Sequence, residues 1–317
     1  MPAPSSGAHQ PRASTTTIGV VVPATDRPPT LHRCLAALDS GSRRPDQVVV
    51  QEDPPGSGPA AARNLGVAAC EADLLIFVDA DVEVHSEALA LLEQRFAADP
   101  DLVALFGAYD EDPADSGLTS RYRNLLHHQV HAESAGAAET FWAGLGAVRR
   151  REFELVGGFD ADRYPEPSIE DIELGMRLRR RGAKIVLDPG IRGRHLKRWT
   201  PRSMVSTDFR RRGVPWARLL LREGSGSTAL NLGWRHRLAA AASLLLLGSL
   251  LARRKRLALA ALAATLVLDR DLYALLARRG GAPLLVAGVG LHQLHRLTAV
   301  ASIPAALILE STEGAGS

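Results

Sequence analysis

Leu74-Leu75-Ile76-Phe77-Val78-Asp79-Ala80-Asp81 is the stretch that decides the fold. Five apolar residues in a row read as a short strand buried on both faces, the kind found inside a mostly parallel sheet. The acids that follow then emerge at its carboxyl end, which is where open α/β sheets bind ligands. Two carboxylates one residue apart at such an edge can set oxygens around a hard divalent cation, and that cation neutralises nucleotide phosphates. An isolated Asp-x-Asp is more often a strand running out into a polar turn, so the neighbouring elements must decide.

Upstream, Ile18-Gly19-Val20-Val21-Val22-Pro23 reads as a first strand stopped by proline. Leu31, Cys34, Leu35 and Leu38 recur at helical spacing, and Val48-Val49-Val50 is a second strand ending in Gln51-Glu52-Asp53. A Pro/Gly-rich turn then leads into an alanine-rich helix from Pro59 to Ala69, which feeds the Asp79 strand. Strand, helix, strand, helix, strand within so short a run means right-handed crossovers and a parallel sheet. Three strand ends converge on one edge: Pro23-Ala24-Thr25, Glu52-Asp53 and Asp79-Ala80-Asp81.

Six segments in register carry a resemblance: Val21-Val22-Pro23, the Val48 strand with its acids, Ala62-Arg63-Asn64-x-Gly66, Phe77-Val78-Asp79-Ala80-Asp81, Val156-Gly157-Gly158-Phe159-Asp160, and Glu170-Asp171-Ile172-Glu173-Leu174-Gly175-x-Arg177-Leu178. In order and spacing, roughly from residue 16 to residue 200, the chain resembles the family 2 glycosyltransferases of GT-A fold. Two departures stand out. Gln51-Glu52-Asp53 replaces the family's consecutive aspartates, leaving Glu52 or Asp53 to meet the nucleobase, with strand counting favouring Glu52. Ala24-Thr25-Asp26 replaces its usual aromatic and asparagine.

The resemblance implies an α/β, Rossmann-like central sheet flanked by helices. It also implies transfer of a sugar from a nucleotide-diphosphate sugar to an acceptor, with inversion. Such a reaction needs a base for the acceptor's proton and a cation for the departing diphosphate. By resemblance Asp171 is the general base, and Glu170 positions acceptor or sugar hydroxyls. Asp81 is the direct ligand of Mg2+ or Mn2+, with Asp79 nearer the ribose or bridging through water. His195 occupies a place where members often carry a histidine that contacts metal or diphosphate. Pro23, Ala24, Thr25, Glu52, Asp53, Arg63, Asp79 and Ala80 make up the implied donor site.

Trp142, in a glycine-rich stretch from Glu139 to Arg150, suits an acceptor platform or core packing equally. His127, His128 and His131 lack an acid or cysteine to complete a familiar metal spacing and are expected at the surface. Cys34 and Cys70 lie in helical alanine/leucine surroundings and read as core fillers, not a disulfide.

A formal charge of +3 hides an asymmetry, because basic residues far outnumber acids from Arg177 to Arg222. That stretch lacks interleaved aromatics and matches no nucleic-acid module, so a nucleic-acid partner is not expected. Apolar runs follow at 238–252, 257–268, 283–291 and 297–309, with Arg253-Arg254-Lys255-Arg256 between the first two. Each is short for a span, so tilted membrane helices and helices lying in the interface both remain open.

The expected organisation is a disordered tail over 1–15, a catalytic domain over 16–229 with basic juxtamembrane helices near 200–222, a hydrophobic membrane-associated region over 230–310, and a tail over 311–317. No secretory signal pattern opens the chain, so a cytoplasmic catalytic domain at a membrane is expected, acting on a lipid-linked or cell-envelope glycan acceptor. The alternative is a non-catalytic membrane adaptor that keeps the fold. A glycoside hydrolase needs two acids but no nucleotide edge. A nucleotidyltransferase would show a glycine-rich phosphate loop where Pro23-Ala24-Thr25-Asp26-Arg27 stands.

Overall fold

A computed structural model describes residues 16–223 and 233–314. The tail expected at 1–15, the boundary expected at 229/230 and the last residues, 315–317, lie outside the described residues.

The sheet-bearing region begins with β1 (Ile18–Pro23), α1 (Leu31–Ser40), β2 (Gln47–Gln51), α2 (Gly58–Ala68) and β3 (Leu74–Val78). It continues through β4 (Val82–Val84), α3 (Ala88–Ala98), β5 (Leu102–Tyr109), α4 (Leu118–Glu133), β6 (Gly136–Ala137), β7 (Leu145–Arg149), α5 (Arg150–Leu155), α6 (Glu170–Arg180) and β8 (Lys184–His195). The strands form one sheet in the order β2-β1-β3-β7-β5-β8-β4, with β6 alongside β8. β1 runs parallel to both β2 and β3, as the crossover argument requires. β7 then enters antiparallel between β3 and β5, so the sheet is mixed. Hydrophobic periodicity locates a strand but carries no information about its direction, which is why this turnover was not legible.

All five residues of β3 are buried, and its alternation divides them between two cores. Leu74, Ile76 and Val78 pack with β1 residues and with Cys34, Leu38 and Leu92 on one face. Leu75 and Phe77 face the other, where Phe77 meets Phe141, Phe153 and Phe159 at centroid distances of 5.1–6.4 Å. With helices covering both faces, the loops at the carboxyl ends of β1, β2 and β3 are left to form a site. Cys34 and Cys70 are buried free thiols.

Beyond β8 the chain forms α7 (Pro201–Ser206), a π-helical turn (Thr207–Gly213) and α8 (Val214–Glu223). α7 opens with Pro201 at its start and a capping box in which Thr200 and Ser203 satisfy each other's backbone amides. The apolar runs are helical: α9 (Trp234–Leu251) and α10 (Lys255–Leu268) are the arms of a hairpin, and α11 (Arg270–Gly314) follows. Gly281, at φ 62°, breaks α11 into two helices. Segment 270–313 is long and apolar enough to cross a membrane by length and composition. Its buried side, however, packs against the preceding elements: Leu272, Tyr273, Leu275, Leu276 and Leu284 share a core with Tyr122, Leu125, Trp199 and Met204.

Candidate active site

The acids at the end of β3 and the start of α6 are brought together by one arginine. Arg63, on α2, is 3% exposed. Its Nη2 donates to Asp79 Oδ1 at 2.6 Å and its Nη1 donates to Glu170 Oε1 at 2.8 Å. Burial disfavours charge on that guanidinium, but the surrounding Asp79, Glu170 and Asp171 outweigh it and hold the proton more tightly than usual. Glu170 Oε2 also accepts from the Ser168 amide at 2.9 Å, so this carboxylate is fully engaged.

Asn64, the next residue on α2, donates through Nδ2 to the Phe159 carbonyl at 2.8 Å and accepts from the Phe159 amide at 2.9 Å. Segments far apart in sequence thus lock through two adjacent side chains. A cavity of about 380 Å³ lined by Asn64, Phe159, Asp160, Glu173 and Arg177 adjoins this lock, but none of the clustered acids faces it.

Asp171 Oδ2 accepts from the Ala143 amide at 3.1 Å, which ties the head of α6 to the loop before β7. Close packing makes that possible: a Cβ on Gly175 would fall 2.3 Å from the Phe141 nitrogen. Burial, then repulsion from Glu170, raises the Asp171 pKa to about 6 against the pull of Arg63. Asp79 is also shifted upward, chiefly by burial.

Asp81 behaves oppositely. Burial again opposes its ionisation, but His195 and the charge of Lys197 prevail and hold its carboxyl below the usual range. His195 Nε2 lies 3.7 Å from Asp81 Oδ2, because β4 and β8 pair Val82 with His195. Among the described residues no group of three or more His, Cys, Asp or Glu is arranged to hold a metal ion. One carboxylate and one imidazole nevertheless fit a divalent cation that draws its other ligands from phosphate oxygens and water. Asp79 has one oxygen committed to Arg63.

The remaining sequence candidates line the same edge less tightly. Ala24 and Ala80 are buried, Pro23 and Thr25 half-buried, and Ala24 donates its amide to the Gln51 carbonyl at 2.9 Å. Glu52 and Asp53 are exposed at the end of β2, 3.9 and 3.8 Å from the Arg27 guanidinium.

The surface placement of the α4 histidines is overturned. His128 and His131 are buried, and both donate through Nδ1 to backbone carbonyls of β5, those of Tyr109 and Gly107. His127 and His131 lie 4.0 Å apart beside Trp142, and burial drives the His131 pKa down to about 4. Positions 127, 128 and 131 share one face of α4 with the buried Ser120 and Asn124, and that helical recurrence was the available signal. Tyr109 was passed over altogether. It ends β5 and stacks on His195 with centroids 4.2 Å apart and planes within 14°, while Trp142 meets it edge-on at 4.9 Å.

Comparison with known proteins agrees with this geometry. Residues 42–184 match the family described as glycosyl transferase family 2. Two curated relatives, the pre-mycofactocin glycosyltransferases of Mycobacterium tuberculosis strains CDC 1551 / Oshkosh and ATCC 25618 / H37Rv, are each 27% identical over 249 residues. Those alignments cover 69% of this chain, which spans about half (48%) of the length of either relative. A solved structure of the mannosyltransferase PcManGT from Pyrobaculum calidifontis, in complex with GDP-Man and Mn2+, is similar with TM-score 0.56 and 17% identity, over 92% of this chain and 88% of that one. Residues 42–184 therefore carry a glycosyl transferase family 2 domain, in a chain with the GT-A fold.

Proposed function

We propose that this domain transfers a sugar from a nucleotide-diphosphate sugar to an acceptor hydroxyl by a single displacement that inverts the anomeric carbon. The observation that carries the reading is a half-buried carboxylate, Asp171, with its pKa raised to about 6 in a cluster that Arg63 ties to the Asp79 and Asp81 edge. A carboxylate of that basicity is ionised near neutrality yet a better proton acceptor than an exposed one. In the proposed reaction Asp171 takes the acceptor's proton as the acceptor oxygen bonds the anomeric carbon. The bond from that carbon to the diphosphate oxygen breaks on the opposite face. Glu170, held by Arg63 and the Ser168 amide, keeps the head of α6 in place. Pro23, Ala24, Thr25, Glu52, Asp53 and Ala80 line the donor side.

Asp81 and His195 would hold the divalent cation, Mg2+ or Mn2+, with Asp79 behind them. Bound there, it supplies positive charge to the departing diphosphate. PcManGT, solved with GDP-Man and Mn2+, makes the same requirement reasonable here.

The acceptor class is a lipid-linked or cell-envelope glycan, with the domain on the cytoplasmic side of a membrane. Support comes from the apolar side chains exposed on the C-terminal helices, Leu250, Leu251 and Ile308 among them. The name of the mycobacterial relatives makes pre-mycofactocin the competing acceptor to include in any assay. Release of nucleoside diphosphate by the full chain, from a panel of uridine and guanosine diphosphate sugars with either acceptor class, tests the reading. Turnover that disappears in Asp171→Asn supports it. A biological activity untouched by Asp81→Asn and Asp171→Asn would favour the adaptor instead.

A further inference from the structure

The C-terminal helices pack against the rest of the chain on one side and leave apolar side chains exposed on another. After its break at Gly281, α11 is bonded to the catalytic region along one face. His292 Nδ1 meets the Tyr122 hydroxyl at 2.7 Å and His295 Nδ1 meets Asp208 at 2.7 Å. Farther along, Glu310 and Glu313 pair with Arg218 and Arg222 of α8. Gly213 lets Ser302 approach so closely that a Cβ there would fall 2.2 Å from Ser302 Oγ. From His292 to Glu313 this is about 32 Å of helix laid along the catalytic region, with ion pairs at its far end. A helix crossing a bilayer would have to leave that surface.

The opposite side carries bare apolar residues: Val286 is 72% exposed and Ile308 63%. The α9–α10 hairpin beside it exposes Leu250, Leu251 and Leu259. Its arms, 18 and 14 residues, measure about 27 and 21 Å, short of a hydrocarbon layer of roughly 30 Å. Four exposed cations, Arg253 to Arg256, occupy the turn, and no acid occurs anywhere from Trp234 to Leu268. Among the described residues, none of those four forms an ion pair with a carboxylate. Crossing would carry all four through hydrocarbon. A second copy of this chain would bring the same cations and no anions from the hairpin, so it is a poor occupant for this side.

We infer that the α9–α10 hairpin and the outer face of α11 dock in the plane of an anionic bilayer, without crossing it, with Arg253–Arg256 at the headgroups. This deepens the membrane association proposed above and rests on it. Apolar side chains enter the interface while the arginines and lysine meet lipid phosphates, the arrangement expected of an interfacial anchor.

The test uses the full chain with sealed vesicles of equal parts phosphatidylcholine and phosphatidylglycerol, and with vesicles of phosphatidylcholine alone. Ala252→Cys at the hairpin turn and Ser311→Cys near the end of α11 are labelled with a membrane-impermeant maleimide from outside, with Asp39→Cys marking the catalytic region. The native thiols are buried. In-plane docking predicts that all three label equally without detergent. Either C-terminal site labelling only after detergent would show a crossing and overturn the inference while leaving membrane association intact. Arg254→Gln with Arg256→Gln should weaken co-flotation with the anionic vesicles roughly thirtyfold. Unchanged flotation would overturn the assigned role of the cations. A stable dimer that ignores both vesicle types would overturn docking and the membrane reading together, and nucleotide-sugar turnover in solution would still judge the transferase reading separately.

Discussion

Arg63 and Glu170, 107 residues apart in sequence, meet at 2.8 Å inside the protein, and the same guanidinium holds Asp79 at 2.6 Å. Two acids that would otherwise repel each other, Glu170 buried and Asp79 half-buried, are fixed by a shared planar cation. Removing it leaves both uncompensated. Arg63→Met is expected to destabilise the fold by about 3–5 kcal/mol, and Arg63→Lys to recover only part because one ammonium cannot serve both carboxylates in fork geometry. Urea unfolding followed by circular dichroism checks this, and an unshifted midpoint for Arg63→Met would contradict it.

Asp171 gives activity and stability opposite dependences on pH. Its pKa is raised to about 6, mainly by burial. As a base it works only when ionised, so kcat/KM should be flat above about pH 6 and fall about tenfold per unit below it. Asp171→Asn should remove that limb and about 10²–10⁴ of the rate.

For stability the sign reverses. A carboxyl whose folded pKa lies above its unfolded value favours folding most at pH below the unfolded value, and that contribution is lost as pH rises through about 6. Near pH 7 the ionised group is a cost. Asp171→Asn should therefore be more stable than the parent by about 1–2 kcal/mol there, with the gap closing as pH drops toward about 4. Thermal melts at the two pH values decide it.

Tyr109 holds His195 by stacking at 4.2 Å, so the two should act together on the cation. His195→Ala is expected to raise the Mn2+ concentration needed for half-maximal rate by about 10–100-fold. Tyr109→Ala should shift it in the same direction, while Tyr109→Phe keeps the ring and should leave it nearly unchanged. Chelation with EDTA should abolish turnover, and readded Mn2+ should restore it.

Gly175 lies where α6 presses on the Phe141 backbone, with a hypothetical Cβ at 2.3 Å. Gly175→Ala must part α6 from the loop that gives Asp171 its Ala143 contact. A loss of about 1–3 kcal/mol in stability, with kcat falling more than KM rises, is the expected outcome.

The parallel half of the sheet was legible because its strands are short apolar runs closed by proline or acids, and Leu74–Val78 is buried throughout as its composition demands. The convergence of Asp79 and Glu170 was legible only as a resemblance. Nothing in the spacing of Arg63 announces that it bridges them, since a buried arginine and a surface one look alike in sequence. Antiparallel β7 was not readable, because direction leaves no mark on an apolar pattern. The α4 histidines were misread because polarity was weighed without asking which turn of the helix each residue occupied. His131 pays for burial with a bond to the Gly107 carbonyl at 3.0 Å. The apolar C-terminal runs revealed helices, but their polar interruptions, His292, His295 and Arg296, revealed their purpose only when Tyr122, Asp208 and Asp269 appeared opposite.

The most direct measurement is the thermal stabilisation of the full chain by nucleoside diphosphates, with and without Mn2+, in the parent and in Asp81→Asn. Stabilisation that needs nucleotide and cation together, and that vanishes in Asp81→Asn, is the predicted result. Equal stabilisation without Mn2+, or in the variant, would contradict a cation-assisted diphosphate site at the end of β3.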